Sequence, residues 1–202
     1  MNANTTNNIM IVGVGGQGSL LASKLLGHLL LQEGYDVKVS EVHGMSQRGG
    51  SVVTYVRFGE KVCSPVIDRG QADFIVSFEQ LEAARYLEYL KPDGRIVVNT
   101  QQIEPMPVVT GAARYPERLI ERIRELGIAV DAMDCLSLAE TAGSSKAVNI
   151  VLMGRLSRYY DIPLERWQKA IEECVPAKFL ELNQRAFLLG REAEISAGPG
   201  LE

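Results

Sequence analysis

Apolar runs and amphipathic stretches alternate through the first two thirds of the chain. Short apolar runs at 9–12, 72–78, 95–99 and 128–134 predict strands that are buried on both faces. The stretch 36–42 alternates between polar and apolar positions and predicts a further strand. Between the predicted strands at 9–12 and 36–42, a helix is predicted. Leu21, Leu25 and Leu29 give it a broad apolar face. We therefore expect residues 9–42 to form a βαβ unit.

The next part of the chain breaks this regular alternation. Two apolar stretches on either side of Gly59 and Glu60 predict a hairpin with strands at 51–58 and 61–66. An amphipathic helix is predicted at 79–90 and another at 117–126, with Pro116 at its first position. Val108 and Val109 suggest a short strand.

After Cys135 the pattern becomes helical. Helices are predicted at 136–142, 146–160, 164–174 and 177–193. The order of elements predicts an α/β fold: a three-layer Rossmann-like sheet, mostly parallel with an antiparallel hairpin, and a helical C-terminal part. We expect one domain over 1–202, with a core at about 9–190 and flexible tails at 1–8 and 191–202. Residues 146–190 are rich in Leu, Ile and Phe, which the pattern assigns equally to core, partner interface or homodimer surface.

Composition narrows the classes of function. The chain has 202 residues, 46% hydrophobic and 23% charged, with a net charge of −4. It carries no basic block that would indicate nucleic-acid binding, and no apolar run of about 18 residues that would indicate a membrane helix. We expect a cytoplasmic protein. Cys63, Cys135 and Cys174 lie far apart without a CxxC pair, so we expect no metal site on this chain.

A glycine-rich turn follows the first predicted strand. The candidate ligand-binding residues in it are Gly13, Gly15, Gly16, Gln17 and Gly18, which satisfy G-x-G-x-x-G between a strand and a helix. Such a turn brings backbone N–H groups and a helix N-terminus towards an anion. The alternative is a turn that packs strand against helix and binds nothing.

Dinucleotide binding is one reading of this turn. Glu41 ends the second strand and could meet the ribose hydroxyls of NAD or FAD. Two features weigh against this reading. Gln17 places a bulky amide in the turn, and Glu41 runs into a long loop where a helix would be expected.

That second loop holds the other candidates. Ser46, Gln47, Arg48, Gly49 and Gly50 are candidate ligand-binding residues. Arg48 offers a fixed positive charge suited to phosphate or carboxylate, and it is also a catalytic candidate. His43 is a second catalytic candidate, for which a structural role is equally expected. Both loops leave carboxyl ends of strands, so neighbouring strands would place them at one crevice.

The chain lacks the motifs of a complete active site. It has no nucleophile elbow, no closely spaced carboxylate pair, no metal motif and no Walker lysine. His28 lies within an apolar helix, where a structural role is expected. We therefore interpret the chain as one part of a site that is shared with another chain.

Four ordered motifs resemble a known family. They are "GVGGQG" at 13–18, "EVHGMSQRGG" at 41–50, "AVNIVLMG" at 147–154 and "ECVPAKFLELNQRAFLLG" at 173–190. Together they resemble the gamma-type subunit of 2-oxoacid:ferredoxin oxidoreductases, and the second motif is similar to the indolepyruvate type. The resemblance covers nearly the whole chain, from about residue 9 to residue 190.

The resemblance implies a subunit of a thiamine diphosphate enzyme. Such a complex oxidatively decarboxylates an aryl 2-oxoacid, joins the acyl group to coenzyme A and passes electrons through iron–sulfur clusters to ferredoxin. Thiamine diphosphate and the clusters are expected on a larger catalytic subunit. Our hypothesis is that Gly15, Gly16, Gln17, Gly18 and Arg48 receive the phosphates of coenzyme A.

Other functions stay open from the sequence. The two loops could instead form the interface with the larger subunit. The chain could belong to a pyruvate, 2-oxoisovalerate or 2-oxoglutarate type of the family. It could also be a stand-alone NAD- or FAD-binding oxidoreductase domain, or a non-catalytic interaction module.

Overall fold

A mixed sheet forms the centre of the molecule. The computed structural model describes residues 6–41 and 49–194. Within them the sheet has the strand order β2-β3-β1-β4-β5-β6. Its strands are β1 (Asn7–Val14), β2 (Asp36–Glu41), β3 (Ser51–Gly59), β4 (Ala72–Ser77), β5 (Leu90–Asn99) and β6 (Ala129–Met133). Strands β1, β4, β5 and β6 are parallel, whereas β3 runs antiparallel to both β1 and β2.

Helices cover both faces of this sheet. They are α1 (Ser19–Gln32), α2 (Gln80–Arg85), α3 (Met106–Val109), α4 (Leu119–Glu125), α5 (Cys135–Ala142), α6 (Val148–Leu156), α7 (Leu164–Cys174) and α8 (Leu180–Glu192). The side chains of strand β1 point alternately to the two faces of the sheet, so they pack in two separate cores. Ile9 and Ile11 pack in the core with α1 and α5–α8, while Met10 and Val12 pack in the core with α2 and α4. The three-layer α/β architecture predicted from the sequence is thus confirmed.

The C-terminal helices belong to the core. All nine residues of α6 are buried. Helices α6 and α8 touch through backbone: a Cβ on Gly154 would lie 2.0 Å from the Phe187 carbonyl oxygen, and one on Gly190 would lie 2.0 Å from that of Val151. The apolar residues of α6 therefore fill the protein interior and do not form an exposed partner surface.

A buried ion pair ties these helices to the sheet. Arg155 on α6 donates to both carboxylate oxygens of Asp131 on β6, at 2.6 and 2.9 Å. Tyr159 also donates its hydroxyl to Asp131 at 2.6 Å. Burial and this bond raise the pKa of Tyr159 to about 12, so the hydroxyl keeps its proton at neutral pH. A charge pair this well buried depends on both partners, because removing one leaves the other charge uncompensated.

The predicted hairpin at 51–58 and 61–66 is wrong. Strand β3 lies between β1 and β2, so both of its edges are already paired. Residues 61–66 form no strand. Instead, the Arg57 side chain donates to the carbonyls of Ser64 and Val66, at 2.9 and 2.8 Å. The antiparallel component of the sheet comes from β3 and its two neighbours.

Three other local predictions need correction. The helix predicted at 79–90 ends at Arg85, because Leu90 pairs with Ala72 and opens β5. Val108 and Val109 lie in the short helix α3, closed by the Thr110 N–H bond to the Met106 carbonyl. The helix predicted at 117–126, with Pro116 at its first position, starts later. Helix α4 begins at Leu119, after Arg118, whose φ is 55°.

Most other elements agree with the prediction. Helix α7 has the predicted bounds, and the strands near 9–12, 36–42, 72–78 and 128–134 are present. Regular structure extends slightly past the predicted core of 9–190, since β1 starts at Asn7 and α8 ends at Glu192. The βαβ unit is present, but β3 separates its two parallel strands.

Candidate functional site

The glycine turn connects β1 to α1 at the carboxyl end of the sheet. Gly16 and Gly18 adopt φ values of 100° and 86°, which side chains rarely tolerate. Gly18 is the residue that precedes the first turn of α1. The turn therefore delivers the chain directly into the N-terminus of a 14-residue helix, as predicted.

Gln17 holds the turn closed from within. Its Oε1 accepts the Val14 N–H at 2.8 Å, and its Nε2 donates to the Phe78 carbonyl at 3.1 Å. Gly13 makes room for this side chain, because a Cβ there would lie 2.9 Å from both Gln17 Oε1 and Phe78 Cβ. The Gln17 amide therefore serves the structure of the turn, and the Gly13 position is required by packing.

The two predicted loops meet. The Gly15 N–H donates to the Gly50 carbonyl at 2.8 Å, and Val14 pairs with Ser51 in the β1–β3 register. The end of the second loop at Gly49 and Gly50 thus lies against the glycine turn. The remaining candidates of that loop, His43, Ser46, Gln47 and Arg48, lie outside the described residues, and their roles stay predictions.

Only part of the turn is free to receive an anion. The N–H of Gly15 is bonded to Gly50, and the N–H of Gln17 donates to the Val14 carbonyl at 3.2 Å. Within the described part of the chain, the N–H groups of Gly16, Gly18 and Ser19 have no hydrogen-bond partner. These three groups at the start of α1 are the donors that an incoming phosphate oxygen would meet.

A cleft opens beside these donors. It has a volume of about 480 Å³, and none of the described residues that line it is acidic. Lys146, which is exposed, is the one charged residue that the described part of the chain contributes to this lining. The lining comprises Gly16, Gln17, Gly18, Gln101, Ile103, Leu136, Ser145, Lys146 and Val148. The excess of donors and the positive charge make the cleft suited to an anion.

Three helices begin at this cleft. Ser19 starts α1, Leu136 lies in the first turn of α5, and Val148 starts α6. Each N-terminus contributes partial positive charge to the same space. The turn and α6 are fastened together by Asn149, whose Nδ2 donates to the Gly18 carbonyl at 3.1 Å.

The sequence did not predict the side of the cleft that lies opposite the glycine turn. Lys146, Ser145 and Gln101 were not among the predicted site residues, and Lys146 was assigned only to a helix. A signal was present: Lys146 follows Gly143, Ser144 and Ser145 immediately before a strongly apolar helix. Small polar residues and a lysine at a helix start are typical of anion sites.

Two buried carboxylates, Glu79 and Glu82, hold the residue that follows the second loop. Glu79 accepts the N–H groups of Glu82 and Ile103, at 2.9 and 3.2 Å, and the hydroxyl of Tyr115. Glu82 accepts the hydroxyl of Ser51, the residue that follows Gly50. Burial raises the pKa of Glu82, with the nearby Glu79 adding to the shift against the opposing effect of Ser51 and Arg85. This cluster fixes the end of the second loop beside the glycine turn.

The structure argues against the dinucleotide reading. In a dinucleotide fold the acidic residue that holds the ribose ends the strand next to β1. Here β3 lies between β1 and β2, so Glu41 is one strand further away. Its carboxylate accepts a hydrogen bond from Ser23 on α1 at 2.8 Å.

The predicted structural residues also have clear positions. His28 contacts Glu173 at 2.5 Å and joins α1 to α7. Cys135 is buried, and burial raises its pKa well above the usual value, which makes it unreactive. Among residues 6–41 and 49–194, no three His, Cys, Asp or Glu side chains cluster as metal ligands would. None of the helices in that same part has the length and apolar character needed to cross a bilayer.

Comparisons with known proteins agree with this fold. The family model "Pyruvate ferredoxin/flavodoxin oxidoreductase" matches residues 8–193. Indolepyruvate oxidoreductase subunit IorB of Thermococcus kodakarensis is 46% identical over 193 residues, covering 92% of this chain and 95% of the relative. The IorB subunit of Archaeoglobus fulgidus is 39% identical and covers 95% and 97% of the two chains.

Solved structures show the same fold. The gamma subunit of a keto/oxoacid ferredoxin oxidoreductase from Geobacter sulfurreducens superposes with a TM-score of 0.68 at 24% identity, covering 92% of this chain and 96% of that one. A 2-oxoglutarate:ferredoxin oxidoreductase from Magnetococcus marinus, solved with 2-oxoglutarate, coenzyme A and succinyl-CoA, gives 0.69 at 18% identity. The present chain covers 31% of that longer chain.

Proposed function

Because this chain belongs to the pyruvate ferredoxin/flavodoxin oxidoreductase family, we propose that it is the small subunit of an indolepyruvate oxidoreductase. The support for the substrate is the identity of 39–46% to IorB subunits of three archaea. The complex would convert an aryl 2-oxoacid and coenzyme A to an aryl acyl-CoA and carbon dioxide. The electron pair released would pass to ferredoxin or flavodoxin, in line with the family's name.

The larger subunit of this complex would carry thiamine diphosphate and the iron–sulfur clusters. Thiamine diphosphate supplies the carbanion chemistry of decarboxylation, and the clusters take up the electrons. The present chain would contribute to the other half of the reaction, which is the capture of coenzyme A. We place the complex in the cytoplasm, where its electron acceptor would also be found.

The cleft beside the glycine turn is the proposed site for the phosphates of coenzyme A. The observation that carries this proposal is that Gly16 and Gly18, whose N–H groups have no partner among the described residues, line a cleft together with Lys146, the one charged residue in its described lining. Phosphate oxygens would accept hydrogen bonds from these groups, while Lys146 would neutralise their charge. Binding here would hold the nucleotide end of coenzyme A and leave its flexible thiol arm to reach the partner's reaction centre.

Arg48 remains a predicted additional ligand. It precedes Gly49 in the chain, and the Gly50 carbonyl is bonded to the Gly15 N–H. An arginine would add the bidentate hydrogen bonding that a lysine cannot provide. The same loops could instead contact the larger subunit, which is the outcome that the following experiment would reveal.

The test is the kinetics of Lys146→Ala in the complex reconstituted with its larger subunit. Loss of one charged hydrogen-bonding partner should raise KM for coenzyme A by about tenfold or more and leave KM for the 2-oxoacid unchanged. Lys178→Ala is the matched control, since Lys178 is also exposed but lies over the Phe179 ring, away from the cleft. Equal KM values for coenzyme A in wild type and Lys146→Ala would refute the proposed site. Weaker subunit association with an unchanged KM would identify the cleft as an interface.

A further inference from the structure

A compact loop lies at the carboxyl edge of the sheet, beside the candidate cleft. Residues 103–115 lie between β5 and α4 and contain the short helix α3. Both ends of this loop are held by one buried carboxylate. The Ile103 N–H donates to Glu79 Oε1 at 3.2 Å, and the Tyr115 hydroxyl donates to the same oxygen. Surface loops whose ends are held together in this way frequently have a function.

Hydrogen bonds within the loop fix its backbone. The N–H and the hydroxyl of Thr110 both donate to the Met106 carbonyl at 2.9 Å. The Ala113 N–H donates to the Pro107 carbonyl at 2.9 Å. Pro105 and Pro107 restrict the backbone further, since their rings fix φ. Because the shape of the loop is already set, a partner that binds it would pay little conformational entropy.

The tip of this loop is apolar and exposed. Met106 and Val109 lie one turn apart on α3, and they are 69% and 61% exposed. Residues 105–113 include no charged side chain, although 23% of the whole chain is charged. Single exposed apolar residues are ordinary on protein surfaces, whereas a continuous uncharged apolar stretch is typical of a surface that another molecule covers.

The lack of charge also indicates what kind of molecule covers the loop. Anionic lipid surfaces and nucleic acids are met by lysine and arginine side chains, and residues 105–113 include neither. An apolar, uncharged surface of another protein complements the loop, because the centre of a protein interface is depleted in charged residues.

The position of the loop favours the larger subunit over a second copy of this chain. Ile103 lines the cleft and also begins the loop, so the loop borders the cleft. A second copy bound here would bring two identical sheet edges together and close both clefts to any reaction centre. The larger subunit must instead bring its reaction centre to the cleft, and on that path it meets the loop.

We propose that the 103–115 loop docks into an apolar, uncharged recess of the larger subunit, with Met106 and Val109 as its anchors. The choice of the larger subunit as partner rests on the proposed function, whereas the docking surface rests on the loop itself. Glu79 and Tyr115 are positioning residues, since they hold the two ends of the loop. Docking at this place sets the larger subunit against the mouth of the cleft, where the thiol arm of a bound coenzyme A would emerge.

Met106→Asp is the test variant, and Leu126→Asp is its matched control. Both side chains are 69% exposed. Leu126 ends α4 shortly before β6 starts at Ala129, so it lies at the amino edge of the sheet, away from the loop. Isothermal titration calorimetry measures the Kd of each variant for the larger subunit. Met106→Asp should raise this Kd about tenfold or more, and Leu126→Asp should change it by less than about twofold.

Equal Kd values for wild type and Met106→Asp would overturn the proposal. Met106 is the first residue of α3, where an aspartate is compatible with the helix, so the variant should fold. Met106→Gln is a second variant, which keeps the length of the side chain and adds no charge. It should weaken association severalfold, because an amide is costly to bury in an apolar recess.

Sedimentation equilibrium of the isolated chain tests the second copy as the occupant. Wild type and Met106→Asp should have the same oligomeric state. Self-association that Met106→Asp abolishes would overturn the choice of the larger subunit.

The docking proposal and the coenzyme A site can fail separately, because the calorimetry uses neither coenzyme A nor a 2-oxoacid. An unchanged KM for coenzyme A in Lys146→Ala would leave the Kd result for Met106→Asp standing. No association of the wild-type chain with the larger subunit would refute the proposed function, and with it this choice of partner.

Discussion

Between α6 and α8, two glycines allow helix backbones to touch, whereas between β1 and α1, two glycines leave N–H groups facing a cleft. A Cβ on Gly154 would lie 2.0 Å from a backbone oxygen of the neighbouring helix. A Cβ on Gly16 would meet nothing within 4 Å. The first pair is required by packing, whereas Gly16 is required by its backbone conformation next to open space. Glycines that look alike in sequence thus serve different purposes.

The difference teaches where to look for a ligand. Where a glycine allows close packing, other protein atoms occupy the space that a side chain would have filled, so no ligand can enter. A glycine that only permits a positive φ leaves its surroundings open, and its N–H is available to another molecule. Gly18 lies between these extremes, because a Cβ there would lie 2.8 Å from Asn149 Nδ2.

The largest effect is expected for Gly154→Ala. The methyl group cannot fit against the Phe187 carbonyl, so α6 and α8 must move apart and expose the core between them. We expect a loss of more than about 4 kcal/mol in the free energy of unfolding, or no soluble protein at all. Urea denaturation of the purified chain measures it.

Gly27→Ala is the matched control, within helix α1. Its methyl would meet only Val39 Cγ2 at 3.4 Å, so stability should change by less than about 1 kcal/mol. A comparable loss in both variants would mean that close packing of α6 on α8 is not the cause.

A smaller effect is expected for Gly18→Ala. The side chain would force an alanine into a φ of 86° and push Asn149 away from the Gly18 carbonyl. We expect a loss of about 2–3 kcal/mol in stability, together with a higher KM for coenzyme A. Urea denaturation and steady-state kinetics of the complex provide the two values. A loss of stability without any change in KM would place Gly18 with the packing glycines.

Gly16→Ala should cost still less stability. Only the φ of 100° opposes the new methyl group, which meets no neighbour, so about 1 kcal/mol is expected. The KM for coenzyme A should nevertheless rise severalfold, because the turn must change shape to relieve the strain. This variant sharpens the comparison most, since it should affect binding more than folding. Unchanged kinetics here would show that the Gly16 N–H does not meet the ligand.

The smallest effect concerns Glu82, which holds Ser51 next to the turn. Its pKa is raised in the folded chain, so the folded state binds this proton more tightly than the unfolded state does. Stability therefore falls as pH rises from the ordinary glutamate pKa through the raised one. Glu82→Gln should reduce that fall, and Glu121→Gln, on the exposed face of α4, should not. Unfolding free energies across this pH range, identical in slope for wild type and Glu82→Gln, would contradict the assignment.

The architecture could be predicted from the sequence because helices and strands are indicated by patterns of neighbouring residues. Buried strands such as β1 and the exact bounds of α7 follow from apolar runs and from Pro163 before the helix. The hairpin failed because local pattern cannot show that β3 is inserted between β1 and β2. That insertion depends on pairing between residues far apart in the chain, such as Val14 with Ser51.

Only the part of the candidate site that has a local sequence motif could be predicted. The glycine turn has a local signature, and its contact with Gly50 follows from the shared carboxyl edge. Lys146 was missed because more than a hundred residues separate it from Gly18 in the chain. The sequence also does not show that the Gly15 N–H is bonded to Gly50, whereas the Gly16 N–H has no partner among residues 6–41 and 49–194.

The central claim is that the cleft recognises the phosphates of coenzyme A. The most direct test compares coenzyme A with pantetheine, which has the same thiol arm but no phosphates, as acyl acceptors of the reconstituted complex. Wild type should prefer coenzyme A in kcat/KM, and Lys146→Ala should lower that preference by about tenfold or more while leaving kcat/KM for pantetheine unchanged. An equal loss with both acceptors, or no loss with either, would contradict the account.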